Sequence, residues 1–288
     1  MNLLQLPWED VICKNILPFM SLTYVYRLKR VSKTTGKIVT MYLKKYLTCM
    51  DFDLVYKHKE IPNELFWEIL RENENVISLK FDYCNNFIRE KELCSAICKN
   101  PRMKRLNFQG TSIVSSQIFQ CVGENLHDLQ YINLAYCKKL GTKEISLIGK
   151  NCHALRSVNI NGCISIEDNA IITIVENNPM LQQLCLASCS LLTKSAFLAI
   201  GRCCRFLSHI YFADCNVDDA GLTLIFRNNP NLKHVDLSVC NQLTKEVFHS
   251  LGTFDRDLRS FYPSPNVEDA GFFLRKIKIW RNLGFVGI

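Results

Sequence analysis

The chain has 288 residues and a formal charge of +8, with 48% hydrophobic and 22% charged residues. That is enough chain for a substantial core, in one large unit or two smaller ones, and the composition excludes a disordered or collagen-like protein. Fifteen cysteines against six histidines are unusual, yet the chain is too long for a disulfide framework, has no C-x-x-C for zinc, and lacks an apolar run able to span a membrane.

The elements begin at Leu6-Pro7-Trp8-Glu9-Asp10-Val11-Ile12, where a proline in the first turn and acidic residues at the positive end predict a helix. Ile16-Leu17 and Phe19-Met20 continue its apolar pattern, and Ser21-Leu22-Thr23 marks a break. A second helix is expected with Val25, Leu28, Val31 and Ser32 on one face and Arg27, Lys29, Arg30 and Lys33 on the other. Residues 37–47 read as a third short helix or the lead-in to a strand. Such a set buries too little surface to stand comfortably alone and should dock on a neighbour or a partner. Residues 51–75 follow without a Gly/Ser-rich linker, and Ile61-Pro62 through Leu70 fits a helical half-repeat whose strand lies near Phe52, a cap for the open face of a repeat array.

The cysteines then set a ruler. Cys137, Cys163, Cys189 and Cys215 stand 26 residues apart and Cys240 follows after 25; backward, the frame reaches Thr111 and Cys84, and forward it reaches Asn266. Each mark closes the template L-x-x-L-x-L-x-x-C, as in Leu129-Gln-Tyr-Ile132-Asn-Leu134-Ala-Tyr-Cys137. After it the apolar period changes from two residues to a helical one, at Leu140, Ile145, Ile148, Gly149, Cys152 and Leu155, and again at Leu192, Phe197, Ile200, Gly201, Cys204 and Leu207. Asn100-Pro101, Asn177-Asn178-Pro179 and Asn229-Pro230 stop the helices. A short strand and a helix repeating at this interval is a leucine-rich repeat, so the fold class is α/β: a curved solenoid over residues 76–276 behind a short helical segment, 1–50. The ladder cysteines are expected to be buried, reduced and inert. Cys185, between two inward leucines, is expected to be a surface thiol of ordinary reactivity.

Residues flanking the inner apolar positions should line the concave face: Lys80, Arg105, Asn107, Tyr131, Asn133, Gln183, Cys185 and their equivalents, with Tyr83, Tyr136 and Asp214 on the turns. Tyrosine is favoured at binding hot spots, and Tyr131, Tyr136, His209, Tyr211, His234 and Tyr262 are the candidate contacts for a protein ligand. In the last unit Pro263 and Pro265 suit a sheet edge. A final helix from Asp269 is expected, and an aromatic tail, 277–288, is expected to close the array as a cap, the alternative being that it reaches into the concave face and takes part in recognition.

Leu6-Pro7-x-Glu9, Ile16-Leu17, Leu22, Arg27-Leu28 and Val31-Ser32-Lys33 closely resemble an F-box, the motif by which substrate adaptors hold the Skp1 subunit of cullin-RING ubiquitin ligases. Followed by cysteine-type repeats, the whole chain resembles the F-box/LRR family. The resemblance implies a three-helix F-box, with Leu6, Pro7, Ile16, Leu17, Leu28 and Val31 contacting Skp1 and through it cullin and a RING subunit. It implies a cytoplasmic or nuclear, non-catalytic adaptor, and in the subfamily it most resembles a substrate among HECT-type ubiquitin ligases that restrain BMP signalling. Two positions depart from the motif: Thr34-Thr35-Gly36 replaces an aromatic after Val-Ser-Lys, and Met20-Ser21-Leu22 replaces Leu-Pro-Leu. Both predict looser packing of the last F-box helix.

No nucleotide-binding, metalloprotease or nucleophile-elbow motif occurs, so no cofactor, metal or catalytic residue is expected. Eight basic residues against Glu9 and Asp10 within the first fifty point to an acidic partner there. A basic nucleic-acid-associated protein and a plain repeat scaffold or inhibitor are the two other readings.

Overall fold

In the computed structural model the described residues are 8–20, 22–52, 62–84, 88–112, 115–247 and 258–264. The described residues open with a π-helical stretch, Trp8–Cys13, and a 3₁₀ turn, Leu17–Phe19. Helix α1 is Leu22–Leu28 and α2 is Lys33–Lys45. The second helix of the sequence reading is therefore split: α1 stops at Leu28, and Ser32 serves instead as the N-cap of α2, its hydroxyl accepting from the Thr35 N–H while Thr35 Oγ1 accepts from the Ser32 N–H. This reciprocal cap explains why α2 starts at Lys33, ahead of the expected residue 37. Val31 is left on the turn, 69% exposed, off the apolar face expected for it. The Thr34-Thr35-Gly36 departure thus supplies a cap, and Ile38, Val39, Tyr42 and Leu43 of α2 are buried.

Nine short strands follow among the described residues, each pairing in parallel with the next in strict chain order. They are β1 Cys49–Asp51, β2 Ser78–Lys80, β3 Arg105–Asn107, β4 Tyr131–Asn133, β5 Ser157–Asn159, β6 Gln183–Cys185, β7 His209–Tyr211, β8 His234–Asp236 and β9 Ser260–Tyr262. The helices between them are α3 Asn63–Glu72, α4 Glu90–Lys99, α5 Ser116–Asn125, α6 Thr142–Asn151, α7 Asp168–Asn177, α8 Lys194–Cys203 and α9 Asp219–Asn228. The central residue of each strand from Met50 to Val235 is buried, and so is the apolar residue just after it from Phe52 to Leu237. A strand this short cannot hold together alone; parallel pairing and the helix behind it do the work. The capping half-repeat expected around Phe52 has its strand at β1, which pairs in register with β2. The final helix and aromatic tail expected after Asp269 lie outside the described residues.

The ladder cysteines Cys84, Cys137, Cys163, Cys189, Cys215 and Cys240 are buried, and none of the fifteen cysteines is joined in a disulfide. Carbonyls that close successive strand turns serve two repeats. Leu134 O accepts the Cys137 N–H at 3.2 Å and the Cys163 thiol of the next repeat at 3.1 Å. Ile160 and Leu186 repeat the arrangement with Cys189 and Cys215. A second ladder, of asparagines, runs at the helix C-termini. Asn178 donates to Ile174 O and accepts the Leu155 N–H; Asn229 does the same with Ile225 O and Leu207 N–H. Asn73 donates to the carbonyls of Leu43 and Leu47, at 2.8 Å each, tying α2 to α3 across the start of the array. Phe52, Phe66, Trp67, Phe81 and Phe108 pack ring against ring there, with Phe52 and Phe66 at 4.7 Å. The helical segment is thereby fixed to the sheet by packing and hydrogen bonds.

Candidate functional site

Two surfaces carry the candidate residues. The first belongs to the helical segment. Ile12, Ile16, Leu17, Met20, Leu28, Thr35, Ile38 and Val39 line an open apolar cavity of about 280 Å³. The sequence candidates Ile16, Leu17 and Leu28 come together in it; Val31 does not, and Leu6 and Pro7 lie outside the described residues. The other flank of α2 is basic: Lys29, Arg30, Lys33, Lys37 and Lys44 border a groove floored by Gly36, Thr40 and Met41. From Leu22 to Lys45 there are seven basic residues and no acidic one, in a chain whose whole excess is +8. Apolar cavity and cationic groove therefore share one helix.

The second surface is the concave sheet face. Parallel register aligns two rows of side chains across it. One runs Ser78, Arg105, Tyr131, Ser157, Gln183, His209, His234, Ser260; the other runs Asp51, Lys80, Asn107, Asn133, Asn159, Cys185, Tyr211, Asp236, Tyr262. Of the six candidates, Tyr131, His209, Tyr211, His234 and Tyr262 stand in these rows. Tyr136 sits on the turn after β4, half exposed.

Local chemistry divides the face. At its start Lys80 bridges Asp51 at 3.2 Å and Asp82 at 3.0 Å, so one ammonium is shared by two carboxylates. Despite the opposing effect of partial burial, the two carboxylates hold the Lys80 ammonium above its ordinary range. The Arg105 guanidinium lies over the Tyr131 ring at 4.3 Å. Burial raises the Tyr131 hydroxyl pKa, with Arg105 acting in the opposite direction. In the later repeats His209 and His234 stack, with ring centroids 4.4 Å apart and planes 12° from parallel. Each ring is held by a serine at 2.8 Å, His209 Nδ1 by Ser208 Oγ and His234 Nδ1 by Ser260 Oγ. Burial and then the His234, Lys233 and Arg259 charges depress the His209 pKa.

Cys185 corrects the sequence expectation. It does stand in a concave row, but it is half-buried, and burial pushes its thiol pKa up to about 12. A thiol so reluctant to ionise is a poor nucleophile, not one of ordinary reactivity. The ladder behaves as expected: burial pushes Cys163 and Cys215 up to about 12 and Cys240 up to about 11.

Two features escaped the sequence reading. The residue before each ladder position adopts a left-handed backbone: Tyr83, Gly110, Tyr136, Gly162, Ser188, Asp214 and Val239. Where glycine stands there it also makes room for a ring. A Cβ on Gly110 would fall 2.3 Å from the Tyr83 ring, and one on Gly162 would fall 2.6 Å from the Tyr136 ring. Both tyrosines therefore lie flat on the glycine of the following repeat, which holds Tyr136 in place beside the concave rows. Secondly, Asn107, Asn133, Asn159 and Asp236 accept the N–H two residues on, at 3.0–3.1 Å, and so shape each strand exit. Asn133 is buried in the process, which takes it out of the expected contact surface.

Among the described residues no group of three or more His, Cys, Asp or Glu side chains could hold a metal ion, and no helix is long and apolar enough to cross a membrane. No protein-family model matches the chain. It is similar to F-box/LRR-repeat protein 15 of Mus musculus and of Rattus norvegicus, 26% identical over 123 residues in each case. The match covers 43% of this chain and 40% of either relative, so it spans two fifths of their length. Against solved structures, a chain from the crystal structure of the Rad7 and Elc1 complex in yeast overlays with a TM-score of 0.37 at 14% identity, covering 70% of this chain and 65% of that one. The curated relatives agree with the F-box/LRR family that the opening motifs resemble. They agree too with the subfamily that the sequence most resembles.

Proposed function

We propose that this chain is the substrate-recognition adaptor of an SCF-type E3 ubiquitin ligase, a non-catalytic subunit whose helical segment holds Skp1 and whose concave repeats hold the protein to be modified. The observation that carries the reading is the open apolar cavity of about 280 Å³ on a helical segment packed directly against the first repeat. An exposed apolar hollow of this kind is a docking feature, and burying its lining against a partner helix gives roughly 25 cal/mol per Å² of apolar surface removed from water. The cationic flank of α2 adds long-range attraction for an acidic partner. Fixing α2 to α3 through Asn73 gives the two binding faces a constant separation, which suits an adaptor that must present its cargo at a defined place.

Within this reading the adaptor acts in the cytoplasm or nucleus, reaches cullin and a RING subunit through Skp1, and takes as its first candidate substrate a HECT-type ubiquitin ligase that restrains BMP signalling. Domain limits follow the same logic: an F-box up to about Thr48, then repeats from β1 onward, with 277–288 as the terminal cap or tail.

Co-purification of the full chain with Skp1 and cullin tests the proposal. The wild type should retain both; Ile16→Asp and Leu28→Asp, which place a charge in the apolar cavity, should lose at least about tenfold of that retention with thermal unfolding of the repeats unchanged. Failure of the wild type to hold Skp1 would sink the reading. Nucleic-acid binding is the second use of the basic flank, and steeply salt-dependent retention on DNA or RNA, abolished by reversing Lys33 and Lys37, would favour it.

A further inference from the structure

Toward its C-terminal end the concave face presents a carboxylate that, among the described residues, holds no cation, in an aromatic setting. Register places Asp236 directly between Tyr211 and Tyr262 on the two neighbouring strands. The Asp236 carboxylate uses one oxygen, Oδ1, to accept both the Ser238 N–H at 3.0 Å and the Ser238 hydroxyl at 2.7 Å. Oδ2 has no hydrogen bond or ion pair among the described residues. The chain's own cations on these strands, Lys233 and Arg259, precede His234 and Ser260, at the strand entries; Asp236 is at the exit. Asp214, exposed on the turn after β7, adds a second carboxylate on that side. Near the opposite end of the face the carboxylates of Asp51 and Asp82 already hold a cation of the chain's own, Lys80, whereas Asp236 holds none among the described residues.

We propose that Asp236, set between Tyr211 and Tyr262, is the receptor for a cationic side chain, an arginine above all, on the polypeptide that the concave face binds. Adjacent parallel strands stand about 4.8 Å apart, so the two tyrosine Cα atoms are separated by roughly 10 Å with the carboxylate between them. That width admits a planar guanidinium with a ring on either side and an anion beneath. Arginine suits it better than lysine because its flat, weakly hydrated head stacks on aromatic rings while it donates to a carboxylate. The face already contains one such contact, built in: Arg105 over Tyr131. Burial and the nearby positive charges that depress the His209 pKa make this neighbouring ring reluctant to carry a charge that would repel a cation. The inference rests on the concave face being a polypeptide-binding surface and is independent of Skp1.

The test is a titration of the full chain, with ring-labelled tyrosine, by tetra-arginine, tetra-lysine and tetra-citrulline peptides. Tetra-arginine should move the Tyr211 and Tyr262 signals, tetra-lysine should bind several-fold more weakly, and tetra-citrulline should leave them in place. Asp236→Asn should weaken the arginine probe by about tenfold or more. That variant keeps the fold, because Asn107, Asn133 and Asn159 already make the same turn bond from the equivalent position. Equal affinity of Asp236→Asn and wild type, or arginine-induced shifts that miss both tyrosines, would overturn the site. Loss of Skp1 retention with the arginine titration intact would remove the ligase assignment alone and leave this site standing.

Discussion

Replacing Asn178 by alanine isolates what the asparagine ladder contributes. Asn178 and Leu155 are fully buried. The Asn178 amide donates to Ile174 O at 3.0 Å and accepts the Leu155 N–H at 2.9 Å, so one side chain closes the end of α7 and pins the lead into β5, the strand of the same strand-and-helix unit. Truncation leaves one buried N–H and one buried C=O without partners, each worth about 1–3 kcal/mol, or about 2–6 kcal/mol together. A water entering the vacated space recovers part of this, which sets the expectation at about 2–4 kcal/mol. The neighbouring Asn177 is the internal control: its amide caps Thr173 O at 2.9 Å from a partly exposed position, so Asn177→Ala should cost less than about 1 kcal/mol. Urea unfolding of the two variants and the wild type, followed by circular dichroism, reads the difference. Costs that agree within about 0.5 kcal/mol would show that the bridge from helix end to strand start adds nothing, and the reasoning would fail.

The stacked histidines predict a pH dependence. Burial, then the charges of His234, Lys233 and Arg259, lower the His209 pKa, so the folded chain takes up its proton less readily than the unfolded one. The associated stability is fully present above the ordinary value of about 6.5 and is lost as pH falls through it toward the folded pKa. The melting temperature should drop between pH 7 and 5, and less steeply in His209→Gln; parallel curves would refute this. Gly162→Ala should cost about 1 kcal/mol or more, from its φ of 70° and the Tyr136 ring in its way. Part of that cost should vanish in a Tyr136→Ala background, and strict additivity of the two changes would argue against the contact. A thiol reagent at pH 8 should label the exposed Cys49 and Cys98 first and reach Cys163, Cys189 and Cys215 only after denaturation. Ladder thiols reacting as fast as Cys49 in the folded chain would contradict their burial.

Much of this molecule is written in one dimension. The template ending at Cys84, Cys137, Cys163, Cys189, Cys215 and Cys240 determined the strands, their order, the buried positions and the concave rows. It could do so because each repeat repeats the same local problem, and neighbours in sequence are neighbours in space. Ile16, Leu17 and Leu28 were likewise legible as an apolar set. The boundary at Ser32 was not, because the helical periodicity of Val25, Leu28 and Val31 continues through a cap whose effect depends on one reciprocal pair of hydrogen bonds with Thr35.

What only tertiary structure decided lies between repeats, where residues about 26 apart meet. Sequence alternation aimed Cys185 at solvent, but neighbouring strands half-cover it and desolvation raises its pKa. The same alternation placed Asn133 on the contact surface, although it is buried holding Ala135 N–H and Gln109. The His209–His234 stack, the tyrosine rings resting on Gly110 and Gly162, and the carboxylate between Tyr211 and Tyr262 each join side chains from consecutive or alternate strands. Periodicity states which face a residue takes. The register of the sheet, fixed only when all the repeats pack together, states whom it meets there.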